Sequence, residues 1–201
     1  ISGAAEVSFY NQKSYIYLEA AGGSAFTNRS VAKYTYEEAS FNYFLHFTKD
    51  LIFTGRFLQQ TVWDWQKFRQ LILDTETGLR GVDLNEFSGD NRIVSNYEFR
   101  YFPNWQLLVF QFSMVGFFDI GASWNQGQKI KDLVMQKSAG LGLRLHFTKS
   151  QNPAHIVRID FPYYFNGRSF GVIISTQQMF GAFTNIVFKL PQILGRIVDF
   201  N

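Results

Sequence analysis

The sequence contains no cysteine, only four prolines, and no long run of apolar residues. The absence of cysteine excludes disulfides, thiolate metal ligands and a cysteine nucleophile. A transmembrane helix needs about 18 or more consecutive apolar residues, and no stretch reaches that length. The opening ISGAAEVSFY has no basic segment followed by an apolar one. We therefore expect that, if the protein is exported, its signal peptide has already been removed.

Charge is also sparse, and the sequence carries no enzyme signature. The net charge of +3 is spread along the chain without a basic block, so we expect no nucleic-acid partner. Neither a Gly-x-Ser-x-Gly motif nor a phosphate-binding glycine loop is present. His46, His146 and His155 lack a metal-ligand partner at i+2 or i+4. The sequence predicts no catalytic residue, no metal site, no cofactor and no enzymatic activity.

Aromatic residues, in contrast, are abundant. Phe, Tyr and Trp make up 18% of the chain, while the mean hydropathy is only -0.10. A soluble protein with a large core can show such a hydropathy, and so can a membrane barrel, whose residues face lipid and water by turns. The aromatic share favours the barrel, although carbohydrate-binding β-proteins are aromatic-rich as well.

Alternation of apolar and polar residues is the dominant pattern and predicts an all-β protein. In residues 139–147, AGLGLRLHF, the leucines alternate with Gly140, Gly142, Arg144 and His146. The stretch 107–124 is too long for a strand in a globular sheet, whose usual length is about 5–6 residues, and it suits a tilted membrane strand. The predicted strands are eight in number: 14–26, 40–47, 51–59, 92–102, 107–124, 139–147, 155–163 and 169–180.

Connections of two lengths are expected between these strands. The turns at 48–50, 103–105 and 148–153 are predicted to be short. The connections at 27–38, 61–91, 125–133 and 165–168 are predicted to be longer. Short turns on one side and long loops on the other are typical of outer-membrane barrels.

The two faces of the strands also differ in composition. In 107–124 one face carries Phe118 and other apolar residues, and the opposite face carries Asp119 and Gly121, with Val115 and Phe117 as apolar exceptions. Alternation alone does not tell which face is inside. However, the charges on the strands are mostly Arg, Asp and Glu, whereas a water-facing surface usually holds many Lys and Glu. This distribution favours a transmembrane antiparallel β-barrel whose polar face lines the interior.

One long loop, 75–94, carries an arginine with two candidate partners. Glu98 and Asp119 are inward residues of neighbouring strands, so both carboxylates lie on one wall. If the loop folds into the barrel, Arg80 reaches that wall and forms a forked ion pair that pins a loop with little else to pack against. The alternative is a solvated Arg80, with the two acids paired to Arg100 or Arg144.

The ordered set GLRGV, NYEFRYFP, GFFDIGASW and GLGLRLHF…HIVRIDFPY resembles the C-terminal half of barrels in the BamA-type outer-membrane assembly and bacterial surface antigen superfamily. The resemblance covers roughly residues 40–180. It implies that the motif Gly78, Leu79, Arg80, Gly81 belongs to a loop folded into the lumen, and that Glu98 and Asp119 are its pinning acids. Phe118 and Gly121 belong to the implied strand motif. Val82 stands where the family usually has Phe or Tyr, so an aromatic contact at the loop tip is not implied.

Family barrels have sixteen strands, so eight strands leave three interpretations open. The chain is a fragment, or a small closed barrel filled with side chains, or one of two copies that together form sixteen strands. We expect a barrel domain at 1–180 and a C-terminal tail at 181–201, which packs at the rim or docks a partner.

The resemblance also implies a function and a location. We expect the chain to lie in a bacterial outer membrane, or in an organelle outer membrane of bacterial origin, in contact with outer-membrane lipids. The implied activity is insertion or translocation of a polypeptide substrate, as a homodimer or within a larger outer-membrane complex. The alternative is a structural barrel subunit or membrane anchor that does not translocate. A soluble, aromatic-rich binding barrel is the third interpretation.

Overall fold

The structure, a computed structural model, describes residues 2–26, 32–64, 70–147 and 156–176. In these residues the chain forms an antiparallel β-sheet and a small second sheet, with a single 3₁₀ turn at Ile130–Asp132. The predicted all-β antiparallel class is confirmed. Among the described residues, no helix is long and apolar enough to cross a membrane.

The described residues form thirteen strands, and most of these strands belong to one large sheet. In the large sheet the order is β1-β2-β3-β4-β7-β9-β10-β11-β12, while β8 pairs with β9 and β13 pairs with β11. The strands β5 and β6 form a separate hairpin. The bounds are β1 Ser2–Tyr10, β2 Ser14–Phe26, β3 Ala32–His46, β4 Leu51–Trp63, β5 Leu71–Leu73, β6 Phe87–Gly89, β7 Asn91–Tyr101, β8 Gln106–Leu107, β9 Phe110–Trp124, β10 Gln136–Phe147, β11 Ile156–Tyr164, β12 Ser169–Phe170 and β13 Ile173–Ser175.

The first strand was not predicted. β1 pairs with β2 along its whole length, for example through Val7 opposite Leu18. Its first half, SGAA, offers almost no apolar–polar contrast, because small residues are compatible with either face. The order of the large sheet therefore has nine positions rather than the eight that were expected.

The large sheet is open within the described residues. β1 is at one end of the order, and β12 with β13 is at the other, with no pairing between them in the described part of the chain. Since every neighbouring pair is antiparallel, the first and ninth positions run in the same direction. A closed eight-stranded barrel is therefore not what these residues form, and membership in a larger barrel stays a proposal.

The connections differ less in length than predicted. β3 already begins at Ala32, so most of the predicted 27–38 connection is strand. The turn at 165–168 is no longer than the turn between His46 and Leu51. The long connections of the described chain are 64–90, which carries β5 and β6, and 125–135.

The sheet has an apolar outward face and a polar covered face. Cross-strand partners on the outward face include Tyr97, Phe118 and Tyr163, which remain exposed. On the covered face Glu98, Asp119, Asp160 and other polar side chains are buried beneath the loop between β4 and β7. The end of the eighth predicted strand, 177–180, and the tail 181–201 lie outside the described residues.

Candidate functional site

The loop between β4 and β7 packs on the covered face through its own small hydrophobic core. Leu73, Leu79 and Val82 of the loop are buried against strand residues, chiefly Leu58 and Val94. Phe87 and Tyr164 pack against the edge of this cluster. The prediction that this loop has little to pack against is therefore wrong.

The sheet is shaped to admit the loop. Gly121 lies opposite Val94 on the covered face, and a Cβ there would be only 3.2 Å from a methyl of Leu73 and 2.8 Å from the carbonyl oxygen of Ile93. A larger residue would push the loop away from β9. Arg92 of β7 also holds the loop by a hydrogen bond, which its guanidinium donates to the carbonyl oxygen of Ile72.

Asp74 organises the chain that leads to the loop tip. Its Oδ1 accepts hydrogen bonds from the backbone N–H groups of Glu76 and Thr77, both at 3.0 Å, and its Oδ2 accepts one from Asn85 N–H at 3.0 Å. Burial acts to raise the pKa of Asp74, but the hydrogen bonds from Asn85, Thr77 and Glu76 outweigh it and lower that pKa below its ordinary value. The ionised carboxylate thus joins the two sides of the loop.

Arg80 lies at the tip and is completely buried. Its Nε and Nη2 donate to Oδ2 and Oδ1 of Asp119, each at 2.7 Å, in a forked pair. Its Nη1 donates to Oε1 of Glu98, also at 2.7 Å. The guanidinium carbon lies 3.6 Å from the centre of the Phe117 ring, a cation–π contact.

The charge of Arg80 is held firmly by these partners. Burial acts to lower the pKa of the guanidinium, but Asp119, then Glu98 and Asp160, raise it above its ordinary value. Arg80 is therefore a permanent buried cation whose charge is balanced by the surrounding carboxylates.

The backbone on both sides of Arg80 is fixed as well. Asn96 Nδ2 donates to the carbonyl oxygen of Gly78 at 2.6 Å and to Asp119 Oδ1 at 2.8 Å. Gly81 has a φ of 83°, and a Cβ there would lie 2.9 Å from the ring of Pro162. Any other residue at Gly81 would be strained and would clash with β11.

Further arginines surround the three acids. Arg100 Nε donates to Glu98 Oε2 at 2.7 Å, and Arg144 forms an ion pair with Asp160. Arg158 Nε is 3.2 Å from Asp160 Oδ2. The alternative pairing expected from sequence is thus present in part, because Glu98 binds Arg80 and Arg100 together, while Arg144 takes a different acid.

The structure brings Gly78, Leu79, Arg80 and Gly81 together with Glu98 and Asp119. Gly121 lies beneath the loop, on the same face. Phe118 lies on the opposite, outward face and is partly exposed. Val82 is buried in the loop core, against which Phe87 and Tyr164 pack.

Sequence reasoning missed three members of the site, which are Phe117, Asn96 and Asp160. One signal was available for Phe117. Val115 and Phe117 break the alternation of β9, and both are buried on the covered face. Apolar residues on an otherwise polar face indicate a surface that another segment covers. Asn96 and Asp160 carried no comparable signal.

The histidines that the structure describes do not join this cluster. His146 Nε2 is 2.8 Å from Ser113 Oγ, and His155 lies outside the described residues. In the part of the chain that the structure describes, no group of three or more His, Asp or Glu side chains is arranged to hold a metal ion. The chemistry of the site is that of a buried ion-pair network.

The sequence matches no model of a protein family, and no curated protein matches it.

Proposed function

We propose that the large sheet is part of the wall of a transmembrane β-barrel in the outer membrane of a bacterium, or of an organelle of bacterial origin. The main support for this proposal is the distribution of polar and apolar side chains over the two faces of the sheet, which is the reverse of that in a water-soluble protein. Leu141 is 71% exposed on the outward face, whereas Glu98 and Asp119 are fully buried on the covered face. A protein that folds in water places these residues the other way round. Hydrocarbon around the outward face explains both.

The strand lengths agree with this location. β3 and β9 contain 15 residues each. At about 3.3 Å per residue such a strand is roughly 50 Å long, and a tilt of about 45° leaves roughly 35 Å along the membrane normal. That length exceeds the hydrocarbon core of about 30 Å.

The open edges limit how the barrel closes. Unpaired backbone groups are not tolerated in hydrocarbon, so β1 and the β12–β13 edge both need partner strands. Because the first and last positions of the order run in the same direction, antiparallel closure requires an odd number of additional strands. A second copy adds an odd number of strands, nine, but if it crosses the membrane in the same direction as the first, its edge strands run parallel to the edges that they meet. Strands of another kind therefore fit better than a homodimer.

We further propose that the barrel takes part in insertion or translocation of polypeptides, with the Arg80 loop as a brace inside the lumen. This part rests on the resemblance to the BamA-type superfamily together with the pinned loop. A brace that lines the lumen keeps the covered face of β7, β9 and β11 in one shape while the barrel edges engage a substrate.

A structural role without translocation is the second candidate. It is favoured by the completeness of the contacts at the loop tip, where all three donor nitrogens of the Arg80 guanidinium have carboxylate partners within 2.7 Å. A site that is fixed so firmly suits a membrane anchor or a subunit of a larger outer-membrane complex.

An assembly assay separates these two candidates. Unfolded outer-membrane protein is diluted from urea into vesicles with and without this protein, and its folding is followed by heat-modifiable gel migration. We expect vesicles with the wild-type protein to fold the reporter faster than empty vesicles. Arg80→Lys, which keeps the charge but not the fork, should lose most of this acceleration, and Leu84→Ser in the exposed part of the loop should keep it.

The protein's own heat-modifiable band shows how much of each variant is folded, and rates are compared at equal folded amounts. Equal reporter folding in wild-type and empty vesicles would reject the insertion role and leave the anchor.

A further inference from the structure

The turn between β7 and β9 differs from the other turns at its edge of the sheet. The neighbouring turns carry Lys13 and Lys49, both exposed. The stretch 101–118, which contains the β7–β9 turn, holds no charged residue. Backbone hydrogen bonds join these turns, from His46 N–H to Lys13 O and from Phe102 N–H to Asp50 O, so they lie side by side.

Large apolar side chains at the end of this turn are exposed. Trp105 is 59%, Leu107 61% and Leu108 83% exposed. Leu108 also has a φ of 56°, a left-handed conformation that is uncommon for a leucine. Exposed apolar side chains and a strained backbone are both unfavourable in water. Their combination in this turn indicates a surface that is covered when the protein functions.

The exposed residues of the β7–β9 turn continue the outward face of the large sheet. Leu107 pairs with Phe110 across the β8–β9 hairpin, and Phe110 pairs with Phe147 of β10. The rings of Phe110 and Phe147 are 4.6 Å apart. The lipid that we propose around the outward face can therefore also cover the exposed side chains of the β7–β9 turn.

We propose that the β7–β9 turn is a membrane-interface anchor that inserts Trp105, Leu107 and Leu108 into the phospholipid leaflet at this edge of the wall. Tryptophan suits the boundary between acyl chains and headgroups, because its ring is apolar and its N–H can meet polar groups. Lys13 and Lys49, on the neighbouring turns, meet lipid phosphates. This proposal rests on the proposed membrane location of the sheet.

Fluorescence quenching tests the anchor and the membrane location separately. In the anchor reporter, Trp63, Trp65 and Trp124 are replaced by Phe, so that Trp105 is the only tryptophan. In the wall reporter, all four tryptophans are replaced and Phe118→Trp is added on the outward face. Both proteins are reconstituted into vesicles of zwitterionic and anionic phospholipid, with or without bromine on the acyl chains. Heat-modifiable migration selects the preparations that have folded.

We expect brominated lipid to reduce the emission of both reporters to a similar extent, and Leu107→Ser with Leu108→Ser to reduce the quenching of Trp105 alone. If the wall reporter is quenched and Trp105 is instead quenched by iodide in the water phase, the anchor is overturned while the membrane wall stands. If folded protein shows no quenching of either reporter, the membrane location itself is wrong and the anchor is rejected with it.

Discussion

Replacement of Arg80 by alanine is expected to lower the free energy of unfolding by about 3–5 kcal/mol, the usual cost of removing one partner from a buried ion pair. The cost is high because Asp119 and Glu98 are fully buried and would lose the cation that both bind at 2.7 Å. Denaturant unfolding in vesicles measures this loss. Amide hydrogen exchange should show that the loop residues 70–90 lose their protection.

Two further variants test whether the loss of stability comes from the forked ion pair between Arg80 and Asp119. Arg80→Lys keeps a positive charge but has a single donor group, so its loss should be intermediate. Asp83→Asn changes an exposed side chain of the same loop and should unfold like the wild type. If Arg80→Ala kept both wild-type stability and loop protection, Arg80 would not hold the loop. If Arg80→Ala does not fold at all, Arg80→Lys carries the same test.

Leu141→Arg is expected to have the second largest effect. Leu141 is 71% exposed on the outward face, and surface substitutions in water usually change stability by about 0.5 kcal/mol or less. An arginine on the lipid face of a barrel costs about 2–4 kcal/mol near the middle of the bilayer. We therefore expect a loss in the range of about 2–4 kcal/mol for this variant, measured by denaturant unfolding in vesicles.

Leu84→Arg is the matched control for that substitution. Leu84 is also well exposed, at 58%, but it belongs to the loop between β5 and β6 and not to a strand of the large sheet. Its replacement by arginine should be almost neutral. Equal and small effects of the two substitutions would mean that the outward face of β10 lies in water.

Much of the fold follows from local sequence, because alternation is a local property. The leucines of β10 alternate with Gly140, Gly142 and Arg144, and the strand formed as expected. β1 was missed because its first residues are small and fit either face. Because β1 was missed, the predicted number of strand positions was eight instead of nine. The relative direction of the two edge strands depends on that number, so it could not be predicted correctly either.

The site was only partly predictable for a different reason. Glu98 and Asp119 could be placed on one wall from the alternation of two adjacent strands, and the loop motif supplied Arg80. Asp160 comes from β11, and its approach to Arg80 Nη1, at 3.7 Å, depends on the curvature of the sheet across several strands. No pattern within one strand encodes that distance. Phe117 was visible as an exception to the alternation, but its meaning depended on knowing what covers it.

Contact between the outward face and lipid can be measured directly, because the sequence contains no native cysteine. Single cysteines at Leu141, Leu143 and Leu145 of β10, and one at Leu84 in the loop, are labelled with a nitroxide in folded, vesicle-bound protein. We expect the β10 labels to collide mainly with dissolved oxygen, which concentrates in the bilayer, and the Leu84 label to collide mainly with a water-soluble nickel complex. Greater exposure of the β10 labels to the nickel complex would contradict this expectation.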